Sequence, residues 1–445
     1  MEIKLPEKVN HIIKTIQAAG YEAYAVGGCI RDSILGRMPE DWDITTSAMP
    51  MQVKELFYRT FDTGIEHGTV TVVLEKESFE VTTYRIDGEY EDNRHPKEVT
   101  FTRNLMEDLL RRDFTMNAMA YNEETGLVDG FSGRKDLENQ VIRCVGNAAE
   151  RFGEDALRML RGVRFAAQLG FTMESETKVA IQALAPTLSC ISAERIQMEL
   201  IKMLVSPRPE MLEMAYELGI TKVILPEFDD MMETEQETKH HQYNVGEHTL
   251  ESMKAISADK VLRLTMLLHD VGKPVMKTVD SFGVAHFKGH DLKSEELAKR
   301  ILRRLKMDND TTEKVCHLVR YHDYRMPAKP VYVRRAMNKI GKELFPAYLE
   351  VRKADLAAQS DYLRKEKEEN IRGVEACYLE ILEKQQCVSL KELAVSGRDL
   401  IEVGMSPGAK LGEMLQQLLE KVIEEPDRNQ KEALLNDVRS HLQNH

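Results

Sequence analysis

The run Gly27-Gly28-Cys29-Ile30-Arg31-Asp32, followed ten residues after Arg31 by Asp41-Trp42-Asp43, is the first set of residues whose types and spacing could do chemistry. A β-type run, Tyr24–Val26, leads into the glycine pair, and a helix is expected after it. A strand that ends in Gly-Gly at a helix N-terminus lets backbone N–H groups come close to an anion. Residues i and i+2 of a strand face one side, so Asp41 and Asp43 are expected to project together. Two neighbouring carboxylates repel unless a cation lies between them, and Mg2+, which prefers carboxylate and phosphate oxygens, is the natural one. An exposed loop with two acids is the bland alternative for a bare Asp-x-Asp; the GGxxRD ahead at fixed spacing weighs against it. The second set is His248, His269-Asp270 and Asp355, with His290 and His322 between them. Imidazole nitrogens and carboxylates in such a set bind a transition metal or Mg2+ and activate water.

The elements that must carry these residues change character along the chain. Residues 6–19 read as an amphipathic helix ending at Gly20. Short runs rich in Val, Thr and Tyr follow at Tyr24–Val26, Ile44–Thr46, Thr69–Glu75 and Phe79–Arg85, as strands require. From about residue 150 the pattern turns to a 3.6-residue period, in stretches such as LRMLRGVRFAAQLG, AERIQMELIKMLV, DKVLRLTMLLHD and GEMLQQLLEKVIEE. Gly170 and Gly219 stand where helices would stop. The expected fold class is α+β. An α/β head with a mixed sheet occupies residues 1–145, helices 146–225, a helical body 240–360 and a helical tail 361–445. Pro226–Thr238, with six acids and no base, is expected to be an exposed connector between helical blocks.

Composition narrows the class. With 42% hydrophobic and 30% charged residues, wholesale disorder is excluded. No apolar run approaches the ~18 residues of a membrane span. The N-terminus lacks a basic segment followed by an apolar block, so no signal peptide is expected. The six cysteines form no Cys-x-x-Cys pair and read as buried free thiols in a reducing compartment, which points to the cytoplasm. The net charge of −13 speaks against a nucleic-acid partner at first sight, but its distribution does not. Residues 1–150 hold 17 basic and 27 acidic side chains, whereas residues 288–354 hold 17 basic and nine acidic. Composition does not set the oligomeric state.

GGCIRDSILGRMPEDWDITT resembles the first motif of the nucleotidyltransferase superfamily, in its poly(A)-polymerase and tRNA CCA-adding branch. RRDFTMNAMAYN (Arg111–Asn122) and DGFSGRKDL (Asp129–Leu137) resemble its second and third motifs. FGEDALRMLRGVRFAAQLGF (Phe152–Phe171) resembles the nucleotide-selecting helix of the bacterial, class II enzymes. SAERIQMELIKML (Ser192–Leu204) and VSGRDLIEVGMSPGAKLGEML (Val395–Leu415) resemble their neck and tail. The resemblance implies that Asp41 and Asp43 hold two Mg2+ ions and that Gly28 and Arg31 hold a triphosphate. It implies further that Arg112, Arg161 and Arg164 contact the nucleotide or its phosphates. Asp113 and Asn117 suit either sugar contact or helix capping.

Asp155 and Arg158 are three apart on the expected helix and therefore neighbours on one face. An ionised Asp only accepts and an Arg only donates. Cytosine and adenine each offer an amine beside a ring-nitrogen acceptor; uracil and guanine offer a carbonyl beside a ring N–H. The pair therefore suits C and A and leaves buried groups unpaired against U or G, which gives strong rejection. An i,i+3 ion pair on an exposed helix is the alternative reading. Residues Arg85–Pro96 resemble the loop that CCA-adding members use to switch from C to A, and this favours full CCA addition or A-addition over CC-addition.

The order His248, His269-Asp270, Asp355 resembles the ligand pattern of HD phosphohydrolases, so an HD domain is expected within the body, with His290 and His322 as ligands of a second metal. The class that resemblance implies is a 2′,3′-cyclic phosphodiesterase or phosphatase acting on RNA ends. Lys299, Arg300, Arg303, Arg304 and Lys306 cluster on one expected helix and suit either the tRNA backbone or a solvated face. Gly404–Lys410 suits either phosphate contact or a plain helical corner. The resemblance thus implies addition of CCA to the tRNA 3′ end from CTP and ATP without a nucleic-acid template. A poly(A) polymerase or A-adding enzyme is the alternative. An HD phosphohydrolase with an RNA-binding head is another, against which the intact Asp41/Asp43 pair counts.

Overall fold

Val- and Thr-rich runs of the first 130 residues pair into one seven-stranded sheet. Its strands are β1 (Ala23–Val26), β2 (Ile44–Thr46), β3 (Thr60–Gly64), β4 (Thr69–Leu74) and β5 (Glu77–Thr83), with two more further on. The short strands β6 (Arg85–Asp87) and β7 (Val99–Phe101) form a separate antiparallel ladder. The main sheet is completed by β8 (Ala120–Asn122) and β9 (Gly126–Val128), and its order is β3-β4-β5-β2-β1-β8-β9. Only β2 and β5 run parallel; the other neighbours are antiparallel, so the sheet is mixed. The structure, a computed structural model, describes residues 2–88 and 99–443. Of the loop expected at Arg85–Pro96, residues 89–96 lie outside the described residues.

The chain divides into two units, 1–226 and 227–445. In the first, Tyr84, Leu109 and Ala120 pack without exposure on the sheet. Helix Leu157–Leu169 is buried along most of its length and ends at Gly170, whose φ of 76° is the left-handed turn that favours glycine. The second unit is helical apart from the hairpin Thr278–Val279/Ala285–His286. Its cores gather Val333, Met337 and Phe345 in one cluster and Leu418, Leu419 and Val438 in another.

Three expectations change here. The acidic run Pro226–Thr238 is not an exposed connector: Pro226–Met232 is a helix that buries Phe228 and Met231. Its acids occupy the outer face while the apolar residues between them supply an inner one. Cys190 is exposed and Cys377 half-buried, although all six cysteines are free. Lys306 lies beyond the end of helix His290–Arg304, in a left-handed turn at φ 58°, and Arg304 is paired with Glu227. The segment Gly404–Lys410 joins helices Gly397–Glu402 and Ala409–Glu424. Among the described residues no helix is long and apolar enough to cross a membrane.

Candidate active site and a buried histidine cluster

A cavity of about 1000 Å3 in the first unit is lined by Gly27, Gly28, Arg31, Asp41, Asp43, Arg112, Asp155, Arg158, Arg161 and Arg164. Nine basic and six acidic side chains line it, so this unit holds a net positive site despite its acidic total. Gly27 starts the floor. Its φ of 86° is left-handed, and a Cβ there would stand 2.9 Å from Arg112 Nη1. Only glycine lets the Arg112 guanidinium approach the backbone this closely.

Asp41 and Asp43 lie in the extended segment just ahead of β2 rather than on the strand. The ladder nevertheless continues through them, because Val26 N–H donates to the Asp43 carbonyl (3.0 Å). Burial pushes the Asp43 carboxyl above the usual range; Arg112 opposes the shift and Asp41 adds to it. A third carboxylate, Glu80 on β5, is raised by burial and by the charges of Asp43 and Asp41. The parallel register that pairs Ile44 with Val81 sets Glu80 next to Asp43. Sequence reasoning missed Glu80; the signal was its outward position between buried Phe79 and Val81.

A hydrogen-bonded chain fixes the cationic wall. Arg31 Nη1 donates to Asn117 Oδ1 (2.8 Å), Asn117 Nδ2 to Asp113 Oδ1 (3.1 Å), and Arg161 Nε to Asp113 Oδ2 (2.8 Å). The guanidiniums of Arg31, Arg161 and Arg164 stand 5.0, 5.8 and 3.9 Å from the centre of the Phe165 ring, which favours cations over its face. Asp113 is thus a link between arginines rather than a free sugar contact. Burial opposes its charge, but Arg161, the Asn117 amide and Arg158 hold it at about 2. A depressed carboxyl adds stability above its unfolded pKa and loses it as pH falls towards the folded value. Asp113→Asn should therefore cost about 2 kcal/mol at pH 7. Denaturant melts should show that difference shrinking between pH 4 and pH 2.

Asp155 departs from expectation. It is not on the helix with Arg158 but in the extended break between helices Ala148–Glu154 and Leu157–Leu169, where Oδ1 accepts from Leu157 N–H (3.1 Å). Glu154–Leu157 (EDAL), which holds neither glycine nor proline, reads as continuous helix by period, yet an Asp side chain competes for the backbone N–H at a helix start. The ion pairs also differ. Arg195, from helix Ala193–Leu204, donates from Nη2 and Nη1 to the two Asp155 oxygens (2.7 and 3.3 Å). Arg158 is held by Glu154 (2.7 Å) and by the carbonyls of Arg111 and Arg151. Among the described residues no hydrogen bond engages Arg158 at Nε–H or at its second Nη2–H. Sequence reasoning missed Arg195, because Ser192–Leu204 reads only as a helix that resembles the neck.

Three family models match the chain: the poly A polymerase head domain over residues 23–143, the probable RNA and SrmB-binding site of polymerase A over 170–232, and a putative tRNA nucleotidyltransferase domain 2 over 290–438. The CCA-adding enzyme of Enterococcus faecalis is 35% identical over 433 residues, 95% of this chain and 93% of that protein. The chain belongs to the CCA-adding enzyme family. A CCA-adding enzyme of Lactiplantibacillus plantarum is 54% identical over 198 residues, 44% of this chain; that alignment spans about half the relative's length, 49%. The crystal structure of the Bacillus stearothermophilus CCA-adding enzyme in complex with CTP superposes with a TM-score of 0.74 at 30% identity, over 99% of this chain and 100% of that one.

This member of the CCA-adding family carries a further cluster in its second unit. His248 lies on helix Val245–Ala255, His269 ends helix Lys260–Leu268, His290 begins helix His290–Arg304, His322 ends helix Asn309–Tyr321, and Asp355 lies on helix Phe345–Ala357. Their polar atoms meet around Asp270. Its Oδ2 is 3.2 Å from His269 Nε2 and 3.7 Å from His248 Nε2, while its Oδ1 is 3.5 Å from both His290 Nε2 and His322 Nε2. His248 Nε2 also stands 3.0 Å from Asp355 Oδ1. Asp270 is 1% exposed and, among the described residues, neither of its oxygens accepts an aligned hydrogen bond, though Lys273 Nζ lies 2.7 Å from Oδ2. Burial opposes the Asp270 charge, but His269 and Lys273 hold it well below the usual range. A fifth ring, His241, packs 5.1 Å from His248 and has been pushed down to about 3 by burial, with Lys273 and His248 adding to the shift. Sequence reasoning did not single it out.

Proposed function

We propose that the chain builds or repairs the 3′-terminal CCA of tRNA from CTP and ATP, using its own side chains where a nucleic-acid template would stand. The observation that supports this is one cavity that holds an Asp-x-Asp pair, a Gly-Gly turn, a stacked arginine wall and the Asp155/Arg158 reader. Asp41 and Asp43, with Glu80 beside them, have the hard oxygen donors that Mg2+ takes. Two such ions, when bound, would acidify the RNA 3′-hydroxyl and neutralise the departing pyrophosphate. The protein's own groups do the rest. Arg31, Arg161 and Arg164 grip the triphosphate from a wall already set by Phe165 and Asp113. Arg158 donates its Nε–H and second Nη2–H to the base edge. Asp155 Oδ2, engaged once by Arg195, keeps acceptor capacity for the amine of C or A.

Purified protein with tRNA transcripts ending before the CCA, or at CC, tests this directly. CTP should extend the first by two residues and ATP the second by one. Failure to incorporate CTP sinks the reading, and unlimited A-tailing would favour a poly(A) polymerase. Arg195→Ala should raise UTP and GTP misincorporation about tenfold or more, because a single misplaced acceptor removes the penalty for a wrong edge. Correct CTP transfer should fall less than that.

The second unit supports a separate reading as a metal-dependent phosphohydrolase of HD type. Its basis is a proton argument. Nδ1 of His248, His269, His290 and His322 lies 3.3, 2.7, 2.9 and 2.7 Å from a backbone carbonyl. A carbonyl only accepts, so each Nδ1 donates its proton there and each ring turns its Nε2 inward. Those Nε2 atoms face one another at 3.3 Å (His248/His269) and 3.2 Å (His290/His322). Each pair lies against one oxygen of Asp270. Four inward Nε2 atoms beside a carboxylate, any proton on them being displaced by the metal, suit two divalent cations, one set completed by Asp355.

A further inference from the structure

A second cavity in the same unit, of about 610 Å3, opens on the side of this cluster that His290 borders. Its wall carries two kinds of group. The rings of Tyr321 and Tyr324 meet edge to face at 6.0 Å and 88°, and flat aromatic surfaces of this sort accept a nucleobase. The charged groups divide by partner. Arg320 is tied to Asp291, and Arg325 to Asp323 at 2.8 Å. Lys288 and Lys339 also line the cavity, and among the described residues neither has a carboxylate within ion-pair distance. The Lys339 ammonium instead rests 5.2 Å from the centre of the Tyr324 ring.

Two uncompensated ammonium groups beside an aromatic wall ask for negative charge that the cluster itself does not supply. We propose that this cavity seats a ribonucleotide bearing two phosphoryl groups: one lies at the Asp270 cluster, and the second lies between Lys288 and Lys339 with the base against Tyr321 and Tyr324. The proposal rests on the reading of the cluster as a cation-dependent phosphohydrolase. In the reaction water oxygen bonds to phosphorus and the P–O(ribose) bond breaks, its electron pair going to the ribose oxygen. One water proton ends on that oxygen, so the products are a ribose hydroxyl and inorganic phosphate. The same two-phosphate chemistry is present in a free nucleoside bisphosphate and in the 3′-phosphorylated end of an RNA, where the preceding internucleotide phosphate takes the second place.

Calorimetric titration of the full chain, loaded with Mn2+, separates the steps. Adenosine 3′,5′-bisphosphate should bind at least tenfold tighter than adenosine 3′-monophosphate. K288Q/K339Q should reduce that ratio to below twofold, and K288R/K339R should restore it. Equal affinity for the two nucleotides, or a ratio unmoved by the double variant, overturns the proposal. A 3′-phosphorylated dinucleotide is the arm that finds the source: tighter binding than the free bisphosphate assigns an RNA end, and weaker binding assigns the free nucleotide. Failure of the underlying reading looks different. The protein would then take up no Mn2+ by elemental analysis, and inorganic phosphate would not bind at all.

Discussion

Asp41→Asn and Asp43→Asn should each stop nucleotide addition, lowering CTP and ATP incorporation by roughly a thousandfold. A cation that offsets charge on a transferring phosphoryl group is worth several kcal/mol, and each 1.36 kcal/mol is tenfold in rate. The two substitutions differ in detail. Asp43 is the residue whose carboxyl burial raises, with Asp41 nearby and Arg112 only partly relieving it. The acid limb of the rate profile should therefore lie above the range of an ordinary carboxylate, and more Mg2+ should move it down, since cation and proton compete for the same oxygens. Glu80 shares the field of both aspartates, so Glu80→Gln should shift that limb to lower pH. Binding of tRNA, read by a mobility shift, should survive all three changes. Loss of tRNA binding with loss of transfer would assign the aspartates to folding instead.

What the sequence made legible, and what it did not, follows from the range of the interactions. Period and turn residues are local, so the strand Ile44–Thr46, the Gly27-Gly28 turn and the end of helix Leu157–Leu169 at Gly170 could be read directly. The types of residue at the site were legible for the same reason, since motif spacing is local. Partnerships were not. Asp155 looked like the neighbour of Arg158 because both fit one helical face, yet a helix break and a guanidinium 40 residues away claim it. Glu80 gains meaning only from the β2–β5 pairing, and strand order in a mixed sheet is a non-local property. His241 sits one residue from His240, with nothing in its neighbours to mark which of the two turns inward; the fold selects it by packing it on His248. The acidic run Pro226–Thr238 misled for a related reason: six acids hid the spacing of Phe228 and Met231, which alone decides burial.

The histidine cluster gives the other large effect. Asp270→Asn should abolish divalent cation uptake by the second unit and, with it, any phosphatase activity, while nucleotide addition in the first unit continues. Asp270 is the shared element, because one oxygen faces the His248/His269 pair and the other the His290/His322 pair. An amide presents one neutral acceptor and one donor, so one pair of imidazole Nε2 atoms would face a C=O without charge and the other an N–H2. His290→Ala makes the complementary test. It removes a ligand from one pair only, so uptake should fall from two equivalents to one, with His248, His269 and Asp355 retaining theirs. Elemental analysis after dialysis against Mn2+ or Zn2+ reads both outcomes, and circular dichroism checks that the helices persist. The alternative is that the four rings are core residues held by their backbone carbonyls. On that account wild-type protein would carry no cation, and Asp270→Asn would stabilise it by removing a buried charge whose closest ammonium among the described residues is Lys273. The sign of the stability change thus separates the two accounts: loss of cation-dependent stabilisation if the cluster holds metal, and a rise in melting temperature if it does not.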